Sequence, residues 1–207
     1  MTDSSLTLVD EELSFHTDEV IVSKTDLVGR ITYANDVFCR LAGITTSEAI
    51  GKPHNLIRHP DMPRVVFKLL WDTLQKEEEI FAYVKNLSST GKYYWVLAHV
   101  TPSYDQNHQL NGYHSNRRCP DRHWVGEIAK LYQTLLEEEG KHPNPEEGIK
   151  ASASLYSLLG VWVFTLLLKQ SLIELGYFAD PVTIGTAAIG MVTVELMILI
   201  VTGCNVG

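Results

Sequence analysis

The residues whose types could do chemistry are concentrated in one short, proline-rich stretch. The segment HNLIRHPDMP, residues 54–63, contains Arg58, His59 and Asp61. Prolines fix the backbone and push the preceding residue toward extended geometry, so we expect a stiffened turn. On such a turn a guanidinium offers a planar fork for phosphate oxygens. An imidazole donates to an anion or changes charge near neutral pH, and a carboxylate fixes either cation.

The overall composition excludes several classes of protein. The chain has 207 residues and a formal net charge of −8, whereas nucleic-acid-binding proteins normally carry a basic face. Its 3 cysteines are far apart and form no CxxC pair, so we expect neither a metal site nor a disulfide framework. The sequence shows no metalloprotease spacing, nucleophile–base arrangement or glycine-rich phosphate loop. These features favour a binding or sensing protein over an enzyme.

The elements that position this segment can be predicted from apolar spacing and turn residues. EVIVSKTDLVGRITYAND has two runs of β-branched residues around a glycine turn, which predicts a hairpin. The further predicted strands are EIFAYVKNLS, KYYWVLAHVTPSYD and QLNGYHSNRR, and the predicted helices are VFCRLAG, TTSEAIG, the segment after Pro63 and the amphipathic segment 120–139. Together they predict an α+β domain with a five-stranded antiparallel sheet, whose face beneath the short helices is free to bind a ligand.

Five regions of different composition divide the chain. They are a flexible N-terminal arm (1–14), the α+β domain (15–119), the amphipathic helix (120–139), a Pro/Gly-rich linker (140–150) and an apolar C-terminal region (151–203). The apolar region carries Lys169 and Glu195 within long uncharged runs. A spanning helix takes about 20 mostly apolar residues, so we expect a C-terminal hydrophobic helical hairpin that anchors the chain in a membrane. A buried helical pair or an oligomer interface is the alternative.

Several motifs of the α+β domain resemble the PAS sensor domains of bacterial aerotaxis transducers. The motifs are ITYANDVF, GKPHNLIRHPDMP, LWDTL, VKNLSSTGKYYWV and GYHSNRR, and the resemblance extends from about Asp18 to Arg118. It implies a PAS fold that binds FAD non-covalently and reports the redox or oxygen state of the cell. The family's hydrophobic membrane anchor follows its PAS domain, which is also where this chain becomes apolar.

The resemblance also implies a set of cofactor-binding residues. They are Arg58, His59, Asp61, Trp71 and Asn86, and more weakly Asn35 and Trp95. Their chemistry suits the task, because Arg58 can bind the pyrophosphate, Trp71 can wall the ring system and Asn86 can bond a flavin edge.

Each of these residues also has a purely structural interpretation. Arg58 and Asp61 can close the turn as a local ion pair. On sequence position alone, Trp71 is expected in the core and Asn35 as a helix cap, and a lone His59 is more often a structural hydrogen-bonding residue. Asn86 and Trp95 can likewise serve the packing of the sheet. The joint occurrence of all of them in the family's order favours the cofactor site.

Two alternatives keep the PAS fold and change what it binds. Haem b could be held through one histidine on a strand, His99 or His114, although no motif marks either residue. A cofactor-free module could instead use its sheet face to bind another protein or a second copy of the chain.

The expected partners and location follow from the resemblance and from the C-terminal region. The sequence up to Gly207 contains neither the relay module nor the coiled coil of an aerotaxis transducer. We therefore expect a sensor that lacks its own kinase-control module. It would signal as a homodimer through a chemotaxis or other signalling protein. Lys141 and Lys150 precede the apolar region, and the loop near Asp180 carries no Lys or Arg. The expected location is therefore the inner (cytoplasmic) membrane with the PAS domain in the cytoplasm; a cytoplasmic protein is the alternative.

Overall fold

The structure, a computed structural model, describes residues 6–155. Its elements are β1 (Ile21–Thr25), β2 (Ile31–Ala34), α1 (Asp36–Ala42), α2 (Thr46–Ala49), a 3₁₀ helix (His54–Ile57), α3 (Arg64–Leu74), β3 (Ile80–Leu87), β4 (Tyr93–Tyr104), β5 (Leu110–Arg118) and α4 (Arg122–Gly140). They form a five-stranded antiparallel sheet with strand order β2-β1-β5-β4-β3. The predicted α+β domain and its elements are confirmed.

The inner face of the sheet lies beneath the helices between β2 and β3. In the central strand β5, Ser115 is opposite Ser23 on one side and Val100 on the other. Because side chains alternate along a strand, Tyr113 and Arg117 lie on this same face. The sequence therefore directs a row of small, polar and charged side chains inward from the middle of the sheet.

A glycine sets the distance between the first hairpin and α3. Asp26 Oδ1 accepts hydrogen bonds from the backbone N–H groups of Val28 (3.0 Å) and Arg30 (2.8 Å), which fixes the turn. Gly29 within this turn has φ of +80°, which L side chains rarely adopt, and a Cβ there would lie 3.0 Å from Trp71 Cη2. A larger residue would push the hairpin away from α3.

The outer face of the sheet packs against α4. Trp95 of β4 stacks on Tyr132 of α4 with ring centroids 6.1 Å apart, and the Tyr132 hydroxyl donates to the Tyr83 carbonyl (2.7 Å). Leu135 on the same helix is fully buried. These contacts anchor the predicted amphipathic helix along its apolar side.

Part of the N-terminal arm that was predicted to be flexible is paired with the sheet. The Val9 N–H donates to the Gly91 carbonyl (2.9 Å), and the Leu13 N–H donates to the Tyr93 carbonyl (2.7 Å). Glu12 also accepts two hydrogen bonds from Arg122 at the start of α4 (2.7 and 2.6 Å). The free backbone groups at the beginning of β4 therefore give the arm an ordered path.

The C-terminal predictions fall largely beyond the described residues. In the predicted linker 140–150, the chain is helical from residue 145 onward. Only the first residues of the predicted hairpin, 151–155, are described, so the hairpin stays a prediction. None of the helices in the described range 6–155 is both long and apolar enough to cross a bilayer.

Candidate functional site

A cavity of about 310 Å³ lies between the inner face of the sheet and the helices. Phe67, Leu70, Trp71 and Leu74 of α3 form its apolar wall. These residues recur at helical spacing, so one face of α3 lines the cavity over two turns. The volume lies at the lower end of the range of about 300–1,000 Å³ that is usual for small-molecule sites.

The opposite wall, formed by the strands, contains polar atoms without partners. Six buried side-chain N or O atoms within residues 6–155 have no hydrogen-bond partner, and four of these line the cavity: Thr25 Oγ1, Asn86 Nδ2, Ser115 Oγ and Arg117 Nη1. An unpaired buried polar group costs about 1–3 kcal/mol, so such groups are normally satisfied. Their concentration on one wall indicates a site for a ligand with a polar edge.

Three polar side chains, two from the strands and one from the 3₁₀ helix, form a cluster at this wall, which we call the Ser23–His54–Arg117 cluster. Arg117 Nη2 donates to Ser23 Oγ (3.0 Å) and lies 2.7 Å from His54 Nε2, which is itself 3.2 Å from Ser23 Oγ. A guanidinium nitrogen can only donate, so His54 Nε2 accepts and carries no proton. Burial and the neighbouring Arg117 lower the pKa of His54 to about 3, and this imidazole is neutral at physiological pH.

Arg117 is a buried cation without a matching anion. The side chain is 4% exposed, and no carboxylate of residues 6–155 forms an ion pair with it. Burial lowers the pKa of Arg117 to about 10, so the group remains charged at neutral pH. Buried charges in proteins are normally paired, which makes this wall of the cavity electropositive.

The structure brings Arg58, Trp71 and Asn86 together at the cavity. Arg58 and Asn86 form an isolated backbone bridge, so the proline-rich segment runs beside β3 at this point. The Arg58 guanidinium lies over the Phe67 ring, 4.4 Å from its centroid, and donates to the Met62 carbonyl (2.8 Å). Burial lowers the pKa of Arg58, although the carboxylate of Glu139 opposes that shift. Trp71 lines the cavity, and its ring lies edge-on to the ring of Tyr113, with the ring centroids 5.5 Å apart.

His59 and Asp61 lie outside the cavity lining, on the other side of the turn. His59 is buried, its Nδ1 accepts from the Asp61 N–H (3.1 Å), and the Asp61 carboxylate pairs with Lys85 (2.7 Å). Burial, followed by the charge of Lys85, lowers the pKa of His59, while Asp61 acts in the opposite direction. The local Arg58–Asp61 ion pair of the structural interpretation is therefore not formed, because each residue has another partner.

Asn35 and Trp95 also lie outside the cavity lining. Asn35 Oδ1 accepts from the N–H groups of Phe38 (3.0 Å) and Val22 (3.0 Å), and its Nδ2 donates to the Val20 carbonyl (2.8 Å). These contacts make Asn35 the cap of α1 and its link to β1. Trp95 belongs to the outer face, against α4. A direct part for Asn35, Trp95, His59 or Asp61 in cofactor binding stays a prediction.

The sequence prediction missed Ser23, His54 and Arg117, and it offered haem ligands that lie elsewhere. The signal was present in GYHSNRR, where alternate positions of a strand share a face and Arg117 follows Tyr113 and Ser115 inward. The same alternation directs His114 outward, and His99 pairs with Glu79 (2.8 Å) at an outward position of β4. Neither histidine lines the cavity.

Comparison with known proteins places this domain in a family. Residues 31–116 match the family described as PAS fold. The chain is 39% identical over 118 residues to the aerotaxis receptor of Escherichia coli (strain K12), covering 57% of this chain and 23% of the receptor. It is 28% identical over 99 residues to the nitrogen fixation regulatory protein of Klebsiella pneumoniae, covering 48% of this chain and 20% of that protein. The matched region thus spans less than a quarter of either relative.

One solved structure with a similar backbone is named "Flavin Analogue Sheds Light on Light-Oxygen-Voltage Domain Mechanism". It is 16% identical, with a TM-score of 0.47, and the match covers 56% of this chain and 86% of that one. At this score the structural likeness supports no functional assignment. The family match and the observed strand order show that this chain carries a PAS domain, and that domain is similar in sequence to part of the aerotaxis receptor.

Proposed function

We propose that this PAS domain is a sensor that binds a flavin, specifically FAD, in its inner cavity and responds to the redox or oxygen state of the cell. The observation that carries the proposal is the cavity's pair of contrasting walls, apolar on α3 and rich in unpaired polar atoms on the strands. A flavin ring has apolar faces and polar edges, so the two walls fit it. The resemblance to aerotaxis transducers supports FAD over other flavins.

The residues at the cavity would divide the work of holding the cofactor. Asn86 Nδ2, which has no partner within the described residues, would donate to an acceptor on the ring edge. Trp71 would wall the ring, and Arg58 would bind phosphate oxygens through the planar fork of its guanidinium. His59 and Asp61 would act indirectly, because their contacts with each other and with Lys85 shape the turn that carries Arg58. When bound, the flavin supplies electron transfer.

A contact between α4 and α3 gives the cavity a connection to the rest of the chain. Pro63 leaves the N-terminus of α3 without a side-chain cap, and the Glu139 carboxylate accepts the N–H groups of Arg64 (3.1 Å) and Val65 (3.0 Å) instead. Movement of the α3 wall would therefore reach the end of α4. We propose no catalytic step, since the output of such a sensor is a change in its helices.

The partners and the location form a separate part of the proposal. A homodimer would signal to a chemotaxis or other signalling protein, and segment 151–203 would anchor it in the inner membrane with the PAS domain in the cytoplasm. Truncation after Gly148 should move the protein from the membrane fraction to the supernatant. An unchanged fractionation would contradict the anchor and leave a cytoplasmic protein.

The test of cofactor binding is an absorbance spectrum of the purified chain. We expect flavin bands in the parent, weaker bands in Arg58→Ala and His59→Ala, and unchanged bands in Arg64→Ala. Arg64 is the matched control because it is an exposed cation at the first position of α3, directly after the proline-rich segment. A Soret band would show that the bound cofactor is haem and not a flavin. A folded, colourless parent that takes up no added FAD would overturn flavin binding and favour a protein-interaction module.

A further inference from the structure

We propose that Arg117 binds the electron-rich edge of the flavin ring. Its charge makes the cavity bind the negatively charged form of the flavin more tightly than the neutral form. This inference rests on the proposed function and deepens it, because it assigns a specificity-determining residue within the same cavity. It uses a side chain that no motif of the sequence had assigned to the site.

All the observed neighbours of Arg117 are neutral. Its Nη2 donates to Ser23 Oγ and contacts His54 Nε2, while its Nη1 has no partner within residues 6–155. The guanidinium carbon lies 5.8 Å from the centre of the Phe38 ring. Tyr94 is also fully buried, and burial raises the pKa of its hydroxyl, so it carries no charge at neutral pH. None of these neighbours neutralises the cation.

The positive charge at this wall of the cavity is fixed. His54 accepts from Arg117 and cannot also take a proton on Nε2. Arg117 stays protonated at neutral pH, so no group of the Ser23–His54–Arg117 cluster changes its charge there. A ligand that gains negative charge against this wall is compensated by a charge that is already present.

A positively charged wall of this kind suits an electron-rich edge of the ligand. An aromatic ring system with carbonyl oxygens and ring nitrogens along one edge concentrates its electron density there. A protein charge near those ring nitrogens is a general means of tuning a flavin. The unpaired Arg117 Nη1 and the unpaired Asn86 Nδ2 are both donors, and both line the cavity. They match an edge that presents acceptors.

The experiment measures the binding of two probes, riboflavin and FAD, to the full chain and to three variants. Arg117→Gln removes the charge, Arg117→Lys keeps it, and Arg118→Gln is the matched control, because Arg118 is the next residue and is exposed. Because a hydrogen bond to a charged group is strong, we expect Arg117→Gln to weaken the binding of both probes about tenfold or more. The control should stay within about twofold of the parent.

The midpoint potential of the bound flavin gives a second readout, measured against redox dyes under anaerobic conditions. We expect Arg117→Gln to lower the potential, because the negatively charged form loses more affinity than the neutral form, and Arg117→Lys to restore part of the loss. A merely structural role would not produce this rescue by charge. A potential that is the same in Arg117→Gln and Arg118→Gln would overturn the inference.

The two probes distinguish the ring edge from the phosphates. Weakening that is confined to FAD would place Arg117 at the pyrophosphate and contradict the proposal, because riboflavin has no phosphate. A parent that binds flavin while Arg117→Gln binds it equally well would overturn this inference and leave the proposed function standing. A parent that binds neither probe would overturn both.

Discussion

Two cavities of similar size lie on the two faces of the same sheet, and their volumes do not distinguish them. The inner cavity measures about 310 Å³ and the outer one, between Trp95 and α4, about 370 Å³. In the outer cavity Asp61 pairs with Lys85, and the hydroxyl of Tyr132 donates to a backbone carbonyl. The inner cavity is lined by four buried polar atoms that have no partner within residues 6–155.

The two cavities differ in the pairing of their polar groups, and this property indicates which of them binds a ligand. Paired polar groups have already exchanged water for protein contacts, so a ligand would gain little from them. Unpaired polar groups carry a cost that a ligand with complementary acceptors or donors removes. On this basis we expect the inner face to bind a ligand and the outer face to stabilise the fold. Substitutions on the two faces should therefore have different consequences.

The largest expected effect contrasts two tryptophans on opposite faces. Trp95 on the outer face is only 6% exposed, and Trp95→Ala should lower the free energy of unfolding by about 3–5 kcal/mol through loss of buried contacts. Trp71 is half-buried and borders the inner cavity, so Trp71→Ala should cost less than half as much and abolish flavin binding. Urea unfolding of the flavin-free chain, followed by circular dichroism, measures both.

Equal losses of stability in the two variants would contradict the difference between the two faces, because Trp71 would then be an ordinary core residue. Retention of flavin by Trp71→Ala would remove that side chain from the proposed binding wall.

The second effect is a pH dependence of stability that arises at the inner face. His54 has a pKa of about 3 in the folded chain, whereas an unfolded histidine titrates near about 6.5. Between these values the unfolded chain binds a proton that the folded chain does not, so the free energy of unfolding falls as the pH falls. By pH 5 the loss attributable to His54 should be about 2 kcal/mol relative to neutral pH.

His54→Gln keeps an acceptor for Arg117 and should remove this part of the pH dependence. Urea titrations at pH 7 and pH 5 measure the difference, and His123→Gln, an exposed histidine on α4, is the control. An unchanged slope in His54→Gln would mean that the folded chain protonates His54 readily, and His54 would then not be the neutral acceptor for Arg117.

The elements of the fold could be predicted because their signals are local. The alternation of residues in β3 to β5, the glycine turn of the first hairpin and the helical spacing after Pro63 depend on neighbours in sequence. The inward direction of Trp71 and Asn86 came from the family pattern and agrees with the cavity lining. Such local patterns determine secondary structure and, with the hairpins, the sheet.

The residues that form the site were harder to predict. Their side-chain directions depend on the geometry of a turn and on the register of the strands. Arg58, His59 and Asp61 lie close together in sequence, yet Arg58 lines the cavity and the other two do not. Arg117 was missed because a charged residue on a strand is ordinarily placed on the solvent side. The register that sets Ser115 opposite Ser23, together with the alternation along β5, shows that Arg117 faces inward.

The smallest effect concerns the contact that joins the two faces, Glu139 at the N-terminus of α3. Glu139→Ala should cost about 1 kcal/mol in the free energy of unfolding, because two backbone N–H groups and the helix dipole lose their partner. The exposed Glu137→Ala on the same turn of α4 is the control and should cost less. Sequence could not predict this contact, since the bonded residues are 75 and 74 positions apart. Hydrogen exchange of α4 amides gives the sharper readout: flavin should protect them in the parent but not in Glu139→Ala. Equal protection in both proteins would show that the inner and outer faces communicate by another route.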